Sequence, residues 1–382
     1  MPEPNYTSPL EAPVASRQPT LREFLRLMVK EGASDLVLKA NGCPAVRVAG
    51  VIRFLGDQPL DGQLVRRFVD ELLDDRLRQE FEELGATDTA VALPGVGRFR
   101  CNAFHQAGEQ GLVFRAIKEE IPSFKELNLP VDSLQRLSSL NRGLVLATGV
   151  AGSGKSTTLA SMLEYVNRTM HKHIITVEDP VEFRFEDKRS IVNQREVGSD
   201  VTSFPQAMRQ AVRQSPDVIL IGEMRDAETV AAAIAAAETG HLVFSTLHTV
   251  NAVQTVERII TFFPPHQHEL VRLQLALNLA GVCSLRLIKN KDGTSMVPAV
   301  ELLMNTPTVR EHLESGATRM LPKALEEGSH YGTMTFNQSL IRLFRAGNIS
   351  LEDALAASDN PDDLKMQMRG ITHGAGGRPV GI

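Results

Sequence analysis

Tryptophan is absent from this chain of 382 residues, and cysteine occurs only three times, at Cys43, Cys101 and Cys283. Those thiols stand far apart with no paired spacing, which excludes a disulfide framework and a four-thiolate zinc module and fits a reducing cytosol. No apolar run approaches the roughly 18 residues needed to span a bilayer. The densest such stretch, residues 230–237, is short and alanine-rich. No charged-then-apolar leader opens the chain. Excess positive charge is missing too: 41 Lys and Arg stand against 46 Asp and Glu, a formal charge of -5. That balance offers no footprint for nucleic acid or an acidic membrane surface, so neither direct nucleic-acid binding nor membrane insertion is expected. The 42% hydrophobic and 23% charged residues that are present suit a globular chain of two or three domains.

The chain is organised around Gly149, Val150, Ala151, Gly152, Ser153, Gly154, Lys155, Ser156 and Thr157, a glycine followed by four residues and then Gly-Lys-Ser. Residues 143–148 before it are apolar and strand-like, and helix-favouring residues follow Lys155, so the motif lies at a strand-to-helix turn. Glycines at 149, 152 and 154 let backbone N–H groups face a polyphosphate, and the helix N-terminus adds its positive end. Lys155 would reach the β- and γ-phosphates of ATP, and Ser156 would ligate Mg²⁺. A glycine-rich turn with a solvent-facing lysine is the plain alternative, and the flanking strand and helix disfavour it.

Residues 1–19 hold five prolines and few large apolar residues, which predicts a flexible tail. From Thr20 the apolar spacing predicts a helix, with Thr20 as cap, Glu23 completing a capping box and Gly32 as the stop. Strands are expected over 35–39, 45–48 and 51–55, with Ala49-Gly50 as a hairpin turn, then a helix over 63–83 and strands over 97–104 and 111–117. The strand from residue 97 alternates, with Arg98, Arg100 and Asn102 on one face and Phe99, Cys101 and Ala103 on the other. Residues 20–117 thus read as a small α+β domain and 118–141, with Pro122 and Pro130, as a linker. From 142 to 369 strands alternate with helices, predicting a mostly parallel sheet that gathers ligands at the carboxyl ends of its strands. Beyond about Val256 the pattern reads as helical, and residues 370–382, with their glycines, read as a disordered tail.

Three further groups fall at strand ends. Glu178 and Asp179 follow an apolar strand and suit Mg²⁺ and water; an acidic loop is the alternative, which proximity to the phosphate loop outweighs. Residues 217–221 form an apolar strand leading to Gly222 and Glu223. Gly222 stands where many phosphate-loop enzymes carry a Mg²⁺-binding aspartate. Metal contact is therefore assigned to Ser156 and, through water, Glu178, and Glu223 is assigned as the base that orients water. His241 and His248 bracket the strand 242–247, too far apart for one metal; His248, at the carboxyl end, is the candidate γ-phosphate sensor. Arg98, Arg100 and Arg115 would be arginine fingers only if a neighbouring chain in a ring presents them.

Together the phosphate loop, the stretches 175–183 and 222–226, and 239–249 resemble the Walker A, Asp, Walker B and His boxes of the type II/IV secretion ATPases. The chain is similar to their pilus-retraction subfamily, PilT and PilU, from about residue 20 to 370. Ser34-Asp35-Leu36 and the segments at 97–100 and 102–104 match as well. The resemblance implies an α/β fold: a PAS-like N-terminal domain and a RecA-like ATPase domain with a helical C-terminal region. It further implies a hexameric ring at the cytoplasmic face of the inner membrane, at the pilus base, coupling ATP hydrolysis to withdrawal of pilin subunits. A pilus platform protein would be a partner. At 308–316 only Arg310, Gly316 and some apolar character survive of the PilT-type Ala-Ile-Arg-Asn-Leu-Ile-Arg-Glu-Gly segment. Stretches at 260–264, 275–279, 334–338 and 352–355 look closer to PilU, the accessory motor, which implies dependence on a PilT-type partner. An independent PilT-type motor, a related extension or secretion ATPase, a nucleotide-gated scaffold without turnover, a kinase and a helicase are the other readings. Intact Lys155, Glu178 and Glu223 weigh against the scaffold, and the absent zinc module against the extension type.

Overall fold

The computed structural model describes residues 18–48, 50–117, 120–293 and 295–369. Residues 1–17 of the expected tail 1–19, the expected tail 370–382, and Ala49 of the expected hairpin turn lie outside the described residues. The chain divides into two compact units, Met1–Glu120 and Ile121–Ile382.

In the first unit, the helix Leu21–Lys30 buries Leu21, Phe24, Leu25 and Met28, a stripe set by their helical spacing. The Thr20 hydroxyl accepts from the Glu23 amide and the Glu23 carboxylate accepts from the Thr20 amide, a complete capping box. Six strands follow: β1 (Asp35–Lys39), β2 (Ala45–Val48), β3 (Val51–Phe54), β4 (Ala86–Leu93), β5 (Gly97–Gln106) and β6 (Glu109–Ile117). They pair antiparallel in the order β3-β2-β1-β6-β5-β4. β5 alternates as its sequence requires: Phe99, Cys101 and Ala103 are buried in the core with Phe24, Phe68 and Phe114, while Arg98, Arg100 and Asn102 lie on the opposite face. The single helix expected over 63–83 is two, Gly62–Leu72 and Asp75–Leu84. The break falls at Leu73, which is extended, because Asp74 caps a new start by accepting from the Leu77 amide at 2.8 Å. β4 escaped the sequence reading because its small residues, Ala and Thr, give weak alternation.

The second unit is built on a seven-stranded sheet: β7 (Gly143–Thr148), β8 (His173–Glu178), β9 (Ile191–Glu196), β10 (Val218–Ile221), β11 (Leu242–Leu247), β12 (Leu279–Lys289) and β13 (Met296–Met304). The order is β13-β12-β7-β11-β10-β8-β9, parallel throughout except for the antiparallel β12–β13 hairpin. β7, β10 and β11 are buried along their whole length, as strands covered by helices on both faces must be. The region beyond Val256, expected as helical, contains β12 and β13. Their long apolar runs are buried on both faces, and a doubly buried strand has no period that tells it from a helix. Helices resume after β13, including Pro307–Glu314, which holds residues 308–314 of the 308–316 stretch.

The segment expected as a linker packs its apolar residues into the core of the second unit. Residues 131–138 form a helix, Val131–Ser138, whose Leu134 and Leu137 are fully buried, and Phe124 and Leu129 join them against β7 and the helix Lys155–Thr169. Pro130 does not interrupt this segment: it stands just before the helix, where a fixed φ and a missing N–H cost nothing. Leu134→Ala is expected to cost about 2–5 kcal/mol in denaturant unfolding, as a core deletion does; a linker residue would change stability by under about 0.5 kcal/mol.

Candidate nucleotide site

Four turns converge at one edge of the second unit, because β7, β11, β10 and β8 are parallel neighbours and each ends there. β7 delivers the phosphate loop. Its last residue, Thr148, is buried and donates to the Ser284 hydroxyl of β12 at 2.8 Å. Gly149 has φ of +146°, and a Cβ there would meet Ser153 Oγ at 2.3 Å and the Leu285 carbonyl at 2.6 Å, so the position admits glycine alone. Gly154, with φ of +95°, opens the helix Lys155–Thr169, whose N-terminus has no side-chain cap. Its first amides are thereby left for an anion.

Lys155 is buried, and its Nζ donates to the carbonyls of Gly149 (2.9 Å) and Val150 (3.0 Å) and lies 3.4 Å from His248 Nδ1. Burial pulls its pKa down, and the charges of Glu223 and Glu182 oppose that pull. Ser156 Oγ donates to Glu182 Oε1 at 3.1 Å. Glu178, expected to act on the metal through water, is buried beside Glu182; it accepts from Thr176 Oγ1 (2.6 Å) and Gln194 Nε2 (3.2 Å), and burial raises its pKa. The carboxylate at Ser156 is Glu182, which the sequence marks only as a member of the Asp-box stretch 175–183. Among the described residues no group of three or more His, Cys, Asp and Glu side chains is placed to hold a metal unaided. The Ser156 hydroxyl and Glu182 carboxylate are nonetheless hard oxygen donors side by side, the ligand type that Mg²⁺ takes.

Glu223 is held from two sides. Its Oε2 accepts from Arg225 Nε at 2.9 Å and faces Arg225 Nη2 at 2.8 Å, and its Oε1 lies 3.3 Å from His248 Nε2. The paired carboxylate raises the pKa of Arg225 further. A lysine ammonium has only protons to offer, so His248 Nδ1 accepts from Lys155, which leaves the Nε2 edge of the ring facing Glu223 Oε1 at 3.3 Å. Lys155, His248, Glu223 and Arg225 thus form one polar chain across the ends of β7, β11 and β10. The two strand ends are locked to each other: Thr246 Oγ1 donates to the Gly222 carbonyl at 2.7 Å and the Met224 amide to the Thr246 carbonyl at 3.1 Å. Arg225 was visible in the sequence only as a member of its box; its grip on Glu223 is a tertiary fact. His241, at the other end of β11, is 2.9 Å from the Ala236 carbonyl and takes no part.

The three arginines lie in the first unit. Arg100 pairs with Asp88 at 3.1 Å and Arg115 with Asp35 at 3.0 Å, facing each other in the β5–β6 register. Arg98 Nε is buried without a hydrogen-bond partner. Cys43, Cys101 and Cys283 are free thiols. Gly149→Ala, which combines an unfavourable φ with a backbone clash, is expected to weaken binding of a fluorescent ATP analogue by at least about tenfold, read by titration.

The sequence matches the family described as type II/IV secretion system protein over residues 90–330. The type IV pilus retraction ATPase PilT of Pseudomonas aeruginosa is 43% identical over 344 residues, covering 90% of this chain and 99% of the relative. PilU of the same organism is 40% identical over 347 residues, 91% of each chain. The crystal structure of the pilus retraction motor PilT with bound ADP matches at a TM-score of 0.85 and 43% identity, over 91% of this chain and 99% of that one. Identity of 43% to PilT and 40% to PilU lends the expected accessory type no advantage. The chain belongs to the type II/IV secretion system protein family, in the branch that holds the type IV pilus ATPases PilT and PilU.

Proposed function

We propose that this chain hydrolyses ATP, with Mg²⁺, as a subunit of a hexameric ring that drives or assists type IV pilus retraction at the cytoplasmic face of the inner membrane. The observation that carries the reading is Glu223, fixed between Arg225 and His248 at the strand end beside the phosphate loop. A carboxylate held in one orientation is suited to align a water for in-line attack and to take its proton. The loop amides and Lys155 hold the β- and γ-phosphates; on ATP binding Lys155 exchanges its bonds to the Gly149 and Val150 carbonyls for phosphate oxygens. Ser156 and Glu182 would hold Mg²⁺, with Glu178 behind them through water; the ion supplies charge neutralisation at the phosphates. His248, 3.4 Å from Lys155 Nζ on one side and 3.3 Å from Glu223 Oε1 on the other, is placed to report nucleotide state from one to the other.

A neighbouring copy would complete the site with arginines. Arg100 and Arg115 would have to leave Asp88 and Asp35 to do so, whereas Arg98 has a buried Nε still without a partner. The pilus platform protein is the partner that would receive the motion. The accessory role rests on the PilU-like stretches and on the departure at 308–316, and a genetic test decides it. Restored twitching in a strain lacking all retraction ATPases means an independent motor; restoration only beside a PilT-type protein means an accessory one.

Mg²⁺-dependent turnover by the purified chain should rise with concentration across ring assembly. Glu223→Gln should lower kcat by about 10²–10⁴-fold while ATP still binds. His248→Ala should keep nucleotide binding and lower kcat by about 10²-fold, leaving a measurable residual rate; unchanged turnover would remove its sensor role. ATP bound tightly with no hydrolysis by the wild type would favour the scaffold reading.

A further inference from the structure

Glu301 lies on β13, opposite Ser284 of β12, and takes no part in the site described above. Its Oε1 accepts the backbone N–H of Ala252 at 2.8 Å. Ala252 is the first residue of the helix Ala252–Thr261, four residues beyond His248. The turn between them is fastened to itself. Thr249 and Thr255 share a hydroxyl–hydroxyl bond of 2.7 Å, Thr255 Oγ1 donates to the Asn251 carbonyl at 2.7 Å, and Asn251 caps the Gln254 amide at 2.8 Å. The bond from Ala252 to Glu301 runs outward instead and ties this turn to the sheet. The same β12–β13 hairpin also meets the entry to the phosphate loop, through the Thr148–Ser284 bond and the approach of the Leu285 carbonyl to Gly149.

We propose that Glu301 is a positioning residue for the nucleotide site: by holding the Ala252 amide it fixes the turn that hangs His248 between Lys155 and Glu223. The inference rests on the ATPase reading for its effect on turnover, though not for the tie itself. Glu301 touches no reacting group; it acts through His248, whose two nitrogens must meet partners on different strands at once. A turn free to shift by about an ångström would lose one of them, and misplacement of that size can cost on the order of a hundredfold in rate.

Which form of the carboxyl does this matters for the test. Burial pushes Glu301 up to about 7 against the pull of the Ala252 N–H bond, with Asp359 adding to the rise and Arg286 opposing it. Arg286 is itself bonded to Asp359 at 3.0 Å and to the Ala357 carbonyl, and the helix presents its N-terminus to Glu301. A neutral carboxyl still accepts through its carbonyl oxygen, and so does an amide. Glu301→Gln should therefore keep the tie, and Glu301→Met should remove it at nearly constant volume. The native state holds this proton where the unfolded chain, at about 4.5, has released it. The group's contribution thus makes stability fall as pH rises from about 4.5 to about 7, and Glu301→Gln should remove that part of the slope.

The experiment uses the full chain as wild type, Glu301→Gln, Glu301→Met, His248→Ala and the double variant Glu301→Met/His248→Ala. Hydrogen exchange at the Ala252 amide, binding of a fluorescent ATP analogue and ATP turnover are measured on each. Glu301→Met should speed Ala252 exchange and lower kcat by about tenfold or more with KM nearly unchanged, and Glu301→Gln should restore both. In the His248→Ala background Glu301→Met should cost no further turnover, because its effect passes through that histidine. Unchanged Ala252 exchange in Glu301→Met, additive losses in the double variant, or failure of Glu301→Gln to rescue would each overturn the proposal. If the wild type binds ATP without turning it over, the ATPase reading fails alone. Ala252 exchange then decides the role of Glu301: faster exchange in Glu301→Met with recovery in Glu301→Gln supports the tie, and unchanged exchange overturns it.

Discussion

The parallel register of β7, β11, β10 and β8 is the constraint on which the site depends. Each strand carries one piece at its carboxyl end: the phosphate loop after β7, His248 after β11, Glu223 after β10, and Glu178 with Glu182 at and after β8. None of these pieces has chemistry alone. A strand paired one residue out would move its terminal group by more than 3 Å and turn its side chains to the other face. Register here is over-determined, since β7, β10 and β11 are buried on both faces and the Ser245 and Thr246 hydroxyls bond to the Ile221 and Gly222 carbonyls.

Charge is the second constraint. Lys155 sits where burial disfavours its positive form, and two carboxylates, Glu223 and Glu182, supply the field that opposes that loss. Glu223 in turn is balanced by Arg225 and steadied by His248. The arrangement keeps a cation and a base a few ångströms apart without letting them pair directly, the imidazole standing between. A bound triphosphate adds negative charge beside Lys155, and His248 is the shortest polar route by which that change reaches Glu223.

Much of this was legible in the chain. The phosphate-loop pattern, the apolar strands ending in Glu178 and Glu223, and the alternation of β5 are local signals, and each appears where its period placed it. Where the structure departs from the local pattern, each departure has its own physical cause. The helices Gly62–Leu72 and Asp75–Leu84 were merged because a single capping aspartate, Asp74, is a weak signal inside a helical pattern. β12 and β13 were read as helical because complete burial erases periodicity. The segment around Val131–Ser138 was read as a linker because its prolines are punctuation whose meaning depends on whether Leu134 and Leu137 find a core.

The order of residues along the chain by itself determined which groups are available: a loop that only glycine can turn, a lysine and a serine at a helix start, acids and a histidine at strand ends. Those follow from backbone conformational limits and from side-chain period, both of which are local. Tertiary structure alone decided which acid meets which donor. Glu182 rather than Glu178 faces Ser156, His248 bridges Lys155 and Glu223, and Glu301 reaches the Ala252 amide across 49 positions. A hydrogen bond is selected within a few tenths of an ångström. Only the packed sheet, and no pattern along the chain, positions side chains to that tolerance.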